Sequence, residues 1–283
     1  MGIFTNTERY KHFLPECEIG YHTEAYLSKK YKALDGDLLI NGNVIPNEDF
    51  IAAICNLKEN QSLVHNNHVI AKKGNGEESI SFLGDSPIVL QERWDLYQLN
   101  EIVLKQDFAL ITNNRQSQKL SKSNTLIGPP SALFIEEGAV IEGSILNTTA
   151  GPIYVAKNAE IMEGSLIRGG LALCENACVK MGAKIYGATS IGPYCKVGGE
   201  VNNVVFQSYS NKGHDGFLGN SVIGEWCNLG ADTNTSNLKN NYSNVKTYSY
   251  IDKTEIQTDI QFMGLFMGCL LYTSDAADEE DSV

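Results

Sequence analysis

The sequence predicts a two-part protein, with an α/β layer domain in front and a coil of short parallel strands, three flat faces to each turn, behind. Three observations predict it. Aliphatic residues recur every six positions through the second half, small residues recur four positions after them, and the polar stretch TNNRQSQKLSKSNT (112–125) separates this pattern from a mixed one ahead of it.

In the front part, residues 1–111, Thr7–Phe13 and Glu24–Tyr31 read as short helices and Asp37–Ile40 as a buried strand ending at Asn41-Gly42-Asn43. Glu48–Leu57 reads as a helix with Phe50, Ile51 and Ile54 on one face, and Leu63-Val64 and His68–Ala71 read as strands. Trp94–Ile111 mixes helix and strand signals. Alternating strands and helices imply an α/β layer. Asn41 and Asn43 follow a strand, where ligands of α/β domains tend to bind, and read equally well as turn formers. No glycine-rich phosphate loop occurs before residue 111.

In the second part, residues 126–268, the anchors are Val155, Ile161, Ile167, Leu173, Val179, Ile185, Ile191 and Val197. Ile135 and Ile141 precede them in the same spacing, and Phe217, Ile223 and Leu229 resume it after a change of phase. Four positions after the anchors stand Ala159, Ser165, Ala177, Ala183, Thr189, Cys195, Val201, Cys227 and Thr233, with Leu171 the large exception. A helix needs a period near 3.6 and an ordinary strand a period of 2. A period of six suits a solenoid whose coils bury their inward side chains against neighbouring coils. The hexad fails between Asn203 and Phe217, and the interrupting segment, QSYSNKGHDG (207–216), holds the only histidine of the coil region, His214. Loops that interrupt a rigid scaffold are favoured places for function.

Bulk composition narrows the function classes. The 283 residues are 42% hydrophobic and 20% charged. No apolar run is long enough to span a bilayer, and residues 1–10 carry no signal-peptide core, so a cytoplasmic protein is expected. Seven scattered cysteines with no CxxC pair suit reduced thiols. A net charge of −12 disfavours nucleic acid as a partner. Five of the acidic residues lie in the last fifteen positions, where CLLYTSDAADE (269–279) resembles the translation of a transposase sequencing adapter. Residues 269–283 are therefore set aside as a non-native tail.

The coils resemble the hexapeptide-repeat acyltransferases, which implies a left-handed parallel β-helix, a homotrimer and active sites between subunits. The front part, on LLINGNVIPNED (38–49) and RWDLYQLN (93–100), resembles bifunctional sugar-1-phosphate nucleotidyltransferase/acetyltransferases of the Bacteroidetes type, cut short at its start. GHDGFLGNSVIGEWCNLGADTNTSNL (213–238) is similar to the acetyltransferase half of the N-acetylglucosamine-1-phosphate uridyltransferase/glucosamine-1-phosphate acetyltransferase family.

That resemblance implies a site. His214 matches the catalytic base, and an imidazole that titrates near neutrality can accept a proton from an amine nucleophile. Asn237 matches the asparagine of the substrate loop, and Lys246 stands where a lysine follows that loop. Leu238 replaces the family's tyrosine, for which Tyr242 is the nearest substitute; Arg168 and Lys212 are the candidates for the phosphate-gripping cations, against a reading as ordinary surface charges. The resemblance further implies acetyl-CoA as cosubstrate, held mainly by coils expected beyond Gly268, and Mg²⁺ with a nucleoside triphosphate and a sugar phosphate for the front half. Two alternatives stand beside it. One is a nucleotidyltransferase whose β-helix only oligomerises or regulates. The other is a non-enzymatic scaffold or a carbonic-anhydrase-like β-helix, the latter disfavoured because its zinc site needs three histidines.

Overall fold

The computed structural model describes residues 1–273, so most of the acidic tail, 274–283, lies outside the described residues. The chain divides into two compact units, Phe4–Arg93 and a second formed by Met1–Ile3 with the chain from Trp94 onward.

The first unit is a small α/β layer. Helix α1 (Asn6–Phe13) begins at a capping box, in which Thr5 Oγ1 accepts from Glu8 N and Glu8 Oε2 accepts from Thr5 N at 2.7 Å. Helix α2 (Glu48–Cys55) is capped by Asn47, whose Oδ1 accepts from Phe50 N at 2.9 Å. Its buried face, Phe50 and Ile54, packs with Leu63 and Ile70 from a four-stranded sheet built of Leu38–Ile40, His68–Lys73, Gln61–His65 and Glu78–Ser81. Asn66 and Asn67 both take positive φ between Gln61–His65 and His68–Lys73, as a two-residue hairpin turn requires. The helix expected over Glu24–Tyr31 does not form. Its residues make only isolated turns, such as Leu27 N to Glu24 O, and Glu24 to Lys30 are exposed. A short segment with no buried face has nothing to offset helix nucleation. Asn43 donates through Nδ2 to Leu90 O at 2.7 Å, and its N–H reaches Asn41 Oδ1, which is turn-forming use of both asparagines.

The second unit is a parallel β-helix. Its strands stack in three columns, one led by Thr125–Ile127, one by Leu133–Ile135 and one by Val140–Ile141. The registers run in steps of eighteen, as from Leu173 to Ile191 and from Val179 to Val197. Every anchor from Ile135 to Val197 is buried, and so are the small partners Ala159 to Cys195 and Leu171. Phe217 departs from expectation. It pairs with Glu200 on the outside, and Leu218, paired with Val201, is the fully buried residue. The polar stretch after residue 112 runs along the first coil, with Gln118 N donating to Ile135 O at 2.7 Å and Ile135 N to Ser117 Oγ at 2.9 Å.

On one column the outward residues are buried as well. The strands 133–135, 153–155, 171–173 and 189–191 are buried at every position, because helices α3 (Asp95–Gln98) and α4 (Asn100–Thr112) belong to this unit and α4 covers that face. Phe108 and Ile111 of α4 pack on Phe134 and Tyr154. The side chain of Asn100 donates to Ala188 O at 2.7 Å and accepts from Ser190 Oγ at 3.1 Å and from Gly2 N. Gly170 lies under Leu104, where a Cβ would stand 3.3 Å from a leucine methyl.

Candidate active site at a shortened coil

The hexad fails after Val197 because the coil is short, and no loop has been inserted there. Ile191 pairs with Phe206, fifteen residues on, and Val197 pairs with Lys212, also fifteen on. The following coil takes seventeen, from Phe206 to Ile223. The residues are lost ahead of the candidate segment: inward Val197 and Val201 stand four apart and Val201 and Phe206 five, whereas Lys212 and Leu218 keep six, so the Gly213–Gly216 corner carries two residues more than the Gly198–Gly199 corner beneath it. Here His214 and Asp215 are exposed.

Four hydrogen bonds tie the backbone of this corner. Gly198 N donates to Lys212 O at 2.7 Å, Asp232 N to Asp215 O at 3.1 Å and Glu200 N to Gly216 O at 3.1 Å. The His214 carbonyl accepts from Lys212 Nζ at 2.9 Å. Gly199, at φ +69°, lies against the corner, and a Cβ there would sit 2.9 Å from His214 O. Only a glycine allows this approach at that φ.

Lys212 does not reach outward as an exposed phosphate-gripping cation would. It is 1% exposed and occupies the inward column of Ile161, Val179, Val197 and Leu229. Its Nζ also donates to Gly198 O at 3.1 Å. Burial pushes the ammonium's pKa down, while the charges of Asp215 and Asp232 act the other way.

The other candidates are distributed as follows. Asn237 lies where the chain leaves the coil, after Thr235 has bridged to Leu218. Its Nδ2 donates to Asn220 Oδ1 at 2.6 Å. Asn220 in turn donates to Asn203 Oδ1 at 3.1 Å, and Asn203 donates to the carbonyls of Tyr97 and Ala188 at 3.0 and 3.2 Å, with its amide oriented to satisfy both sides. These three asparagines recur every seventeen residues, the length of the local coil, and form a ladder that engages the Asn237 amide nitrogen. Tyr242 is 68% exposed in the connection that follows. Lys246 is exposed on an antiparallel hairpin, Lys246–Ser249 with Thr254–Gln257, where it pairs with Gln257. This excursion is the real insertion in the solenoid: Ile223 pairs next with Met267, forty-four residues on. Arg168 is exposed on a strand nearly three coils before His214, so within one chain the structure does not bring the two together.

The inward lysine and the asparagine ladder were missed by the hexad reading, because their spacings of fifteen and seventeen fall outside it. Among the described residues, no group of three or more His, Cys, Asp or Glu side chains is placed to hold a metal ion, and no helix is long and apolar enough to cross a membrane.

Residues 1–116 match the family model described as sugar nucleotidyl transferase. The chain is also similar to the bifunctional protein GlmU of Synechococcus elongatus and to that of a second Synechococcus strain, each 23% identical over 182 residues. Each match covers 56% of this chain and 40% of the relative, so the chain spans less than half the length of the curated relatives it matches. A segment that matches the sugar nucleotidyl transferase model, followed by a parallel β-helix and with similarity to GlmU, supports a protein of transferase type.

Proposed function

We propose that the chain is part of a sugar-1-phosphate nucleotidyltransferase/acetyltransferase, in which the β-helix transfers acetyl from acetyl-CoA to the amine of glucosamine-1-phosphate. The front half would couple the product to UTP, giving UDP-N-acetylglucosamine in the cytoplasm. The observation that carries this reading is the Gly213–Gly216 corner, two residues longer than the corner beneath it, which exposes His214 on a backbone held by four hydrogen bonds.

In this reaction the amine nitrogen attacks the thioester carbonyl carbon. His214 accepts the amine proton as the C–N bond forms and passes it to the departing sulfur as the C–S bond breaks, so the coenzyme leaves as the free thiol. An exposed imidazole on a fixed backbone suits that role, because it can meet a substrate without rearranging the coil. Asn237, Tyr242 and Lys246 lie on the segment that leaves the coil next, and we assign them to the sugar phosphate, with Lys246 as a point charge. Arg168 would contribute only from a neighbouring subunit of a trimer. Mg²⁺ belongs to the nucleotidyl-transfer half of this proposal, arriving with the triphosphate, and the acetyl-transfer step needs none.

The test is thiol release from acetyl-CoA with glucosamine-1-phosphate. Release is expected, with a loss of about 100-fold or more in His214→Ala. Release that persists undiminished in the variant would remove His214 from the chemistry. A second reading, nucleotidyl transfer with a β-helix that only oligomerises, is favoured by the family match falling on residues 1–116. A folded protein that joins sugar phosphate to UTP but releases no thiol would select it.

A further inference from the structure

Lys212 stands where the solenoid elsewhere carries an aliphatic side chain. Val197 lies below it in the stack and Leu229 above it, and all three face inward. Burying an ammonium is unfavourable, and an apolar side chain of similar volume is often as stable or more so at such a position. The fold therefore gains little from a lysine here. What a lysine supplies and a valine cannot is a donor. Its Nζ reaches two backbone carbonyls, Gly198 O at 3.1 Å and His214 O at 2.9 Å. Three other carbonyls of this stretch are held by ladder-type N–H groups of neighbouring coils: Lys212 O by Gly198, Asp215 O by Asp232, Gly216 O by Glu200. At His214 the corner runs off the ladder, and the inward ammonium takes the place of the missing N–H.

We infer that Lys212 is a positioning residue for His214: from inside the coil it holds the His214 peptide and so fixes where the imidazole stands. This rests on the reading of His214 as the base. Misplacing a catalytic group by about 1 Å can reduce turnover about 100-fold, so a single carbonyl anchor is enough to matter. Asp215 and Asp232, both exposed, supply the countercharge nearby.

The experiment replaces Lys212 with Met and, separately, with Leu, in the full chain. It measures the melting temperature, kcat and KM for acetyl transfer, and the ring resonances of histidine-labelled protein, with the His214 signal assigned by its loss in His214→Ala. The chain has five histidines, and His12, His22, His65 and His68 serve as internal controls. The expected result is a folded variant with Tm within a few degrees of wild type, kcat lower by about 10- to 100-fold, KM within about twofold, and a His214 signal that shifts or broadens while the other four stay. An unchanged kcat, or an unchanged His214 signal in a folded variant, would overturn the inference. So would failure of both variants to fold, which would make Lys212 a requirement of the coil itself. If wild-type protein releases no thiol, the reading of His214 as the base falls, and its ring signal still decides whether Lys212 holds that residue.

Discussion

Glu136 shows how single side chains join the chain just after α4 to the first coils. Its Oε1 accepts from Arg115 at 2.6 Å and from Tyr154 Oη at 2.6 Å, and its Oε2 accepts from Lys157 N at 3.1 Å. Arg115 also lies over the Phe134 ring, which stacks on Tyr154. Burial alone would raise the carboxyl's pKa, but the hydrogen bonds from Tyr154 and Arg115 and the guanidinium charge outweigh it and hold the group below the usual range. A carboxyl depressed on folding adds stability above its unfolded pKa, and that stability is lost as pH falls through the folded value. Glu136→Gln is therefore expected to melt below wild type at pH 7. The gap should close as the pH drops below about 4, the range of an unperturbed glutamate. Melting temperature against pH for the two proteins checks it, and a gap that is the same at pH 7 and pH 3 would sink the idea.

At the scale of the element, the corners set a problem that this sequence solves in two ways. One corner column runs through Gly138, Asn158, Asn176, Tyr194, Tyr209, Trp226 and Leu270, all at positive φ. Glycine and asparagine accept that conformation readily, whereas other residues cost about 1–2 kcal/mol each. The three aromatic residues stack on one another, with ring centroids 5.1 Å apart for Tyr194 and Tyr209 and 4.5 Å for Tyr209 and Trp226, and planes within 11°. Their spacing is the distance between coils, so stacking offsets the backbone cost. Tyr209→Ala keeps the backbone strain and removes both ring contacts. It is expected to lose about 1–3 kcal/mol in denaturant unfolding, two aromatic pairs' worth. A loss near zero would mean that the rings merely fill the surface.

For the molecule as a whole, coils bury their inward residues against one another, and α4 covers one outward column. The outward residues of the other columns include exposed Val140, Ile145 and Leu166. Closed cyclic symmetry is the common way to bury repeated apolar surface of this kind. A homotrimer is expected, and light scattering on this chain should give about three times its 31.1 kDa mass. A stable monomer at micromolar concentration would remove the basis for placing Arg168 in a neighbouring subunit's site.

The sequence by itself determined the solenoid. Six-residue periodicity is a local rule, repeated at each strand, and Ile161, Val179 and Val197 could be assigned to the interior without knowing any partner. It also singled out His214, because a break in a regular pattern is visible in one dimension. Tertiary structure decided which way the exceptions point. Once the coil shortens from eighteen residues to fifteen, position along the chain no longer predicts the face, so Phe217 lies outside, Leu218 inside, and Lys212 in an aliphatic column. The helices α3 and α4 read as mixed signals for a related reason. Their side chains are chosen to cover a β-helix face and to place Asn100 against Ala188 and Ser190, contacts 88 and 90 residues distant in sequence. A local pattern reports a repeat that stacks on itself; which surface a single helix covers is set by residues far along the chain, and only the folded structure brings them together.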